Sequence, residues 1–159
     1  MKNGFVLVFI SLNVYGCISE PKLDANHIIN QSIEVSCGDR FKSTTINFYF
    51  RARNYKAIRN MGTFRYERLF QDSLPIKDVL SNTGFERYIN EEHIEIPDSM
   101  AVKYTSSVNA VHYFSVLPFG LNDKAVNKRY LELVKIKDQE YHKIEVTFNE
   151  KGGGEDFED

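Results

Sequence analysis

Between residues 44 and 96 the chain alternates apolar and polar side chains in short runs, and turn signals separate the runs. A period of two sends successive side chains to opposite faces of a strand, so this stretch can fold only as a series of half-buried strands. Residues 44–53 place Ile46, Phe48 and Phe50 on one face and Asn47, Tyr49 and Arg51 on the other, and Asn54 is expected to open a turn. Residues 55–59 and 63–71 predict two further strands joined at Asn60-Met61-Gly62. In the second of these, Phe64, Tyr66 and Arg68 share a face, and Arg65, Glu67 and Leu69 share the other. Pro75 is expected to end that run. Residues 77–81 and 85–89 predict a hairpin with the three-residue loop Asn82-Thr83-Gly84. A turn at Asn90-Glu91-Glu92 then leads into a short strand over 93–96. Strands joined by so few residues must be antiparallel neighbours, because a parallel crossover needs a dozen residues or more.

Helical periodicity brackets the meander. Residues 24–35 predict a first helix, with Asp24 as N-cap, Ile28, Ile29 and Ile33 on its apolar side and Gly38 as its stop. Residues 100–116 predict a second helix capped by Asp98 or Ser99, with Val108, Val111, Tyr113 and Phe114 toward the core and Leu117-Pro118-Phe119-Gly120 ending it. Thr105, Ser106 and Ser107 lower its propensity, so packing must hold it. Residues 130–137 and 141–149 predict a last hairpin around Asp138-Gln139-Glu140, whose apolar face is supplied by Val134, Ile136, Ile144, Val146 and Phe148. The order helix, meander, helix, hairpin predicts an α+β domain over residues 24–159, a curved antiparallel sheet with helices on one face. At 159 residues the chain fits one domain.

Residues 1–17 read MKNGFVLVFISLNVYGC. Lys2 gives a positive start, residues 4–12 an apolar run, and Gly16 the small residue that a signal peptidase needs before the cut. The run is too short to span a bilayer, which takes about 20 apolar residues. Val14-Tyr15-Gly16-Cys17 resembles a lipobox, although Tyr15 is bulkier than the usual residue there. Residues 1–16 are therefore expected to be a signal peptide, Cys17 the lipidated first residue of the mature chain, and residues 17–23 a tether containing Pro21. A plain secretory cut beside a chance cysteine, or a buried N-terminal element, are the competing readings. A Cys17–Cys37 disulfide is the alternative to the thioether, and the two exclude each other. Ile18 and Ser19 lack the Asp that resembles an inner-membrane retention signal, so an outer-membrane anchor facing the periplasm is expected. A net charge of -2 argues against a nucleic-acid partner.

Asn82-Thr83-Gly84-Phe85, the long segment from Ser106-Ser107-Val108-Asn109 through Leu117-Pro118-Phe119-Gly120-Leu121-Asn122-Asp123, Ala125-Val126-Asn127-Lys128, Tyr141-His142-Lys143-Ile144 and the acidic end 152–159 stand out as long strings. Together they resemble a family of uncharacterised lipoproteins from flavobacteria and their relatives. The resemblance covers nearly all of residues 24–159. That family is similar in layout to the lipoprotein-carrier (LolA/LolB-like) fold, which implies a half-barrel with helices plugging its concave face and a cavity between. Where the family ends its first helix in a His-Gly-Gly type string, this chain has Ser36-Cys37-Gly38. The family also continues with further strands, so the resemblance implies a domain incomplete at its C-terminus, with an open sheet edge.

No catalytic constellation emerges. His27, His93, His112 and His142 form no metal-ligand pair, and no nucleophile elbow precedes a candidate serine. His112 is expected to be a packed side chain rather than a base. Glu155, Asp156, Glu158 and Asp159 fit no calcium loop and are expected to be solvated. No metal or cofactor is implied. Arg51, Arg53, Arg59, Arg65 and Arg68 make the first hairpins basic; such residues usually protect edges, and an anion or lipid-headgroup site is the alternative. The stripe Phe48, Phe50, Phe64, Tyr66 and Phe70, with Tyr113 and Phe114 from the helix, is first of all core. In a half-barrel the core face and the cavity wall coincide, so these residues are also the candidate lining for an apolar ligand. The expected function is thus a non-enzymatic exported lipoprotein that binds an apolar or lipid ligand, with a structural or interaction lipoprotein as the alternative and an enzyme ranked last.

Overall fold

The computed structural model describes residues 24–36 and 38–149. Helix α1 (Ala25–Val35) begins where expected: Asp24 is extended, and its side chain accepts from the Asn26 amide at 3.1 Å, satisfying one of the free donors of the first turn. A 3-10 turn (Gly38–Lys42) leads into strands β1 (Ser43–Phe50), β2 (Arg53–Asn60), β3 (Thr63–Gln71), β4 (Pro75–Ser81), β5 (Gly84–Ile89) and β6 (Glu92–Ile94). These pair in chain order as one six-stranded antiparallel sheet that does not close on itself. Helix α2 (Asp98–Phe114) and a second 3-10 turn (Phe119–Asn122) follow, then strands β7 (Val126–Ile136) and β8 (Gln139–Phe148).

The α+β class and the antiparallel meander are as expected, and the differences lie in the turns. The predicted strand over 44–53 is broken at Arg51 and Ala52, which hold φ of +46° and +59° and form a two-residue turn, so the bend precedes Asn54. Two consecutive positive φ values match the twist of the flanking strands. The β5–β6 turn uses the same device at Asn90 and Glu91. Pro75 starts β4 rather than ending the previous run, a position where its missing N–H costs no ladder bond. The next loop is Asn82-Thr83 alone, because Ser81 pairs with Gly84, whose φ of +127° suits glycine. Helix α2 is preceded by Pro97 with no side-chain cap, in place of a cap from Asp98 or Ser99.

Two larger corrections concern the helices and the last hairpin. On α2, Val108 and His112 are the buried residues, whereas Phe114 is 52% exposed. The last hairpin, β7–β8, forms a two-stranded sheet of its own, and it turns at Lys137-Asp138 rather than over Asp138-Gln139-Glu140. A register shift between Tyr130 and Glu132 changes its parity. Tyr130 lies opposite Ile144, but Leu133 lies opposite His142, so Val134 and Ile136 fall on the other face from Ile144, Val146 and Phe148. Helix α1 packs against both 3-10 turns and β7, and α2 packs on β3, β4 and β5.

Candidate functional site

Cross-strand register collects one face of the six-stranded sheet into rows. One row reads Phe48, Tyr55, Arg68, Asp78, Arg87, Ile94 across all six strands. The next reads Ile46, Ala57, Tyr66, Leu80, Phe85. Thr44, Arg59 and Phe64 lie beyond it toward one end, and Phe50, Arg53, Phe70, Ile76 and Ile89 toward the other. All five strand members of the predicted aromatic stripe therefore share this face, which α2 crosses.

At the centre is a charged knot. Asp78 is fully buried, and its Oδ2 accepts from Arg68 Nε and Nη2 at 2.9 and 2.7 Å. Arg87 donates to the same carboxylate, Nε to Oδ1 at 2.7 Å and Nη2 to Oδ2 at 3.0 Å. The remaining Arg68 nitrogen, Nη1, donates to Ser107 Oγ of α2 at 2.7 Å, and the Arg87 guanidinium lies 3.6 Å from the centre of the Tyr104 ring. Three strands and the helix are thus tied through charge-assisted bonds, which in a buried setting hold only because nearly every donor is used.

Beside the knot lies His112, also fully buried. Its ring stacks on Tyr66 at 4.5 Å and meets Phe48 and Tyr55 edge-on at 5.7 and 5.6 Å. Its Nε2 sits 3.2 Å from the Glu67 carbonyl, and since a carbonyl can only accept, Nε2 carries the proton. Burial, together with the Arg59 and Arg68 charges and against the Glu67 bond, lowers the imidazole pKa from 6.5 to about 4, so the ring is neutral at pH 7 and Nδ1 is a bare acceptor. Arg59, only 8% exposed, donates Nε to the Tyr66 hydroxyl at 3.0 Å and Nη2 to the His112 carbonyl at 3.3 Å. Arg59 Nη1 and His112 Nδ1 are buried without a hydrogen-bond partner.

The predicted lining residues therefore divide. Phe48 and Tyr66 lie against His112, and Phe64 packs on Tyr66 with the rings 4.7 Å apart. Phe70 lies beneath the Arg53 and Arg68 guanidinium groups at 4.7 and 5.8 Å. Phe50 is 43% exposed at the edge, under Arg51. Tyr113 points away from the sheet: its hydroxyl donates to the Gly120 carbonyl at 3.2 Å, and its ring packs on Phe148 and Phe114. An open depression of 440 Å³ lies largely on the opposite face of the sheet, lined by Asn47, Asn54, Lys56, Glu67 and Leu69 together with Phe48 and Tyr55. Cys17, Cys37 and the acidic end 152–159 lie outside the described residues. Sequence reasoning missed Asp78, Arg87 and Tyr104. Asp78 had a signal, an acid on the strand face that Ile76 and Leu80 share, but its partners lie in other strands.

A family model, that of DUF6503, described as a family of unknown function, matches residues 2–159. The chain belongs to DUF6503. No curated protein and no solved structure matches this DUF6503 chain. Chemically, its buried cluster offers hydrogen-bond donors and a neutral imidazole. Among the described residues, no group of three or more His, Cys, Asp or Glu side chains is placed to hold a metal ion. No described helix is long and apolar enough to cross a membrane.

Proposed function

We propose that this DUF6503 chain is an exported lipoprotein of the bacterial envelope, held at the membrane by acyl chains on Cys17, whose sheet binds an apolar or lipid ligand on the face crossed by α2. The layout is read as related to the lipoprotein-carrier fold, an antiparallel sheet with a helix over one face. The observation that carries the ligand reading is the gathering of Phe48, Phe50, Phe64, Tyr66 and Phe70 on that face, with Phe50 still 43% exposed. Apolar burial of an acyl chain there would supply about 25 cal/mol per Å² of affinity. A second reading, a structural lipoprotein with no ligand, is favoured by His112, which already fills the space over Phe48, Tyr55 and Tyr66.

Mass spectrometry of the chain extracted from membranes tests both parts. The denatured mass should exceed that of the chain from Cys17 onward by several acyl groups, and Cys17→Ser should remove both that excess and membrane retention. The native mass should exceed the denatured one by a lipid-sized increment. Equal native and denatured masses, unchanged after incubation with mixed membrane lipids, would leave the structural reading standing.

A further inference from the structure

Four arginines face α2's side of the sheet, and they are not equivalent. Arg68 and Arg87 share the Asp78 carboxylate. Arg53 is only half-buried and stacks on Phe70. Arg59 is buried, yet among the described residues no carboxylate lies within ion-pair distance of it. Its bonds are also unequal. Nε holds the Tyr66 hydroxyl at 3.0 Å, but the Nη1–Nη2 edge has one empty nitrogen and one long contact, 3.3 Å to the His112 carbonyl. That carbonyl does not depend on Arg59, because it also accepts from Ser115 Oγ at 2.9 Å. The two-nitrogen edge of a guanidinium matches the two oxygens of a carboxylate or phosphate, and such paired, charge-assisted bonds are the strongest that a buried arginine can make. An oxyanion could therefore take the whole edge for the loss of one long bond, and it would neutralise a charge that is otherwise expensive to bury. The cross-strand neighbours of Arg59 on this face are Thr44 and Phe64, and the Phe64 ring packs on Tyr66.

We infer that Arg59 is the anion-binding residue of this protein: its Nη1–Nη2 edge receives the oxyanion of an anionic amphiphile, while the apolar part of that molecule lies on the aromatic face beside it, against Phe64. This deepens the ligand reading above and rests on it. The entering oxygens displace the His112 carbonyl from Nη2, so the last turn of α2 shifts on binding. Replacing the head by a hydroxyl costs affinity, since a neutral head leaves the guanidinium uncompensated.

The test is equilibrium binding of oleate, oleyl alcohol and acetate to the full chain carrying Cys17→Ser. Oleate is expected to bind roughly ten- to a hundredfold more tightly than oleyl alcohol. Arg59→Met should bring the two to parity, and Arg59→Lys, which keeps the charge but loses the fork, should restore part of the difference. Arg65→Met, on the opposite face, should leave the preference intact. If Arg59→Met does not fold, the wild-type preference, its partial loss in Arg59→Lys and a shift of the His112 ring resonances on adding oleate but not oleyl alcohol carry the decision. Equal binding of oleate and oleyl alcohol overturns the assignment of Arg59 and leaves the apolar-ligand reading intact. Binding of acetate as tight as that of oleate also overturns it, in favour of a small-anion site. Binding of none of the three overturns both readings together.

Discussion

Asp78 accepts from two arginines on the strands to either side of it, and none of the three side chains is more than 11% exposed. Removing the carboxylate charge leaves two guanidinium groups facing each other in a buried site. Asp78→Asn is expected to cost about 3–5 kcal/mol, read as a lowered midpoint in urea denaturation. His112 couples the fold to pH. Its ordinary pKa is 6.5, and in the folded chain it is held at about 4. The groups that face it are Arg59 and Arg68, which oppose a proton, and the Glu67 carbonyl, which favours one. Between those two pH values the unfolded chain binds a proton that the folded chain refuses. The contribution of His112 is therefore full above pH 6.5 and falls as the pH drops to 4, by up to roughly 3 kcal/mol, then levels off. Urea titrations of the wild type and of His112→Phe across this window check it: the variant should lose the part of the slope that His112 carries. An unchanged slope would place the acid sensitivity elsewhere.

At the scale of elements, the turns decide the meander. Arg51-Ala52, Asn90-Glu91 and Lys137-Asp138 each hold two consecutive positive φ values without a glycine. Ala52, at φ of +59°, has no side-chain bond to offset the clash of its Cβ. Ala52→Gly is expected to stabilise the protein by about 0.5–1 kcal/mol, seen as a higher urea midpoint at unchanged slope. These turns also show why strand existence was legible and boundaries were not. The alternation of Ile46, Phe48 and Phe50 needs only local geometry, whereas Arg51-Ala52 carries none of the Asn-Gly chemistry that marks such a turn. Gly62 and Gly84, by contrast, announced their turns. Within β7–β8, the shift near Leu131 was invisible for the same reason: one extra residue flips the parity of all that follows, and no residue type signals it.

For the whole molecule, the local code was sufficient to specify an α+β domain, an antiparallel meander, α1 with its Asp24 cap, and a shared face for Phe48, Phe50, Phe64, Tyr66 and Phe70. Each of these follows from side chains a few residues apart, because strand and helix periods are properties of the backbone itself. Tertiary structure alone decided what covers that face. It set His112 on Tyr66, turned Tyr113 and Phe114 away, tied Arg68 and Arg87 to Asp78, and left Arg59 Nη1 without a partner. Asp78 and Ser107 reach Arg68 across 10 and 39 residues of chain. Partners so far apart meet only when register and helix placement are both fixed, and those depend on the summed burial of the whole domain rather than on any stretch of it.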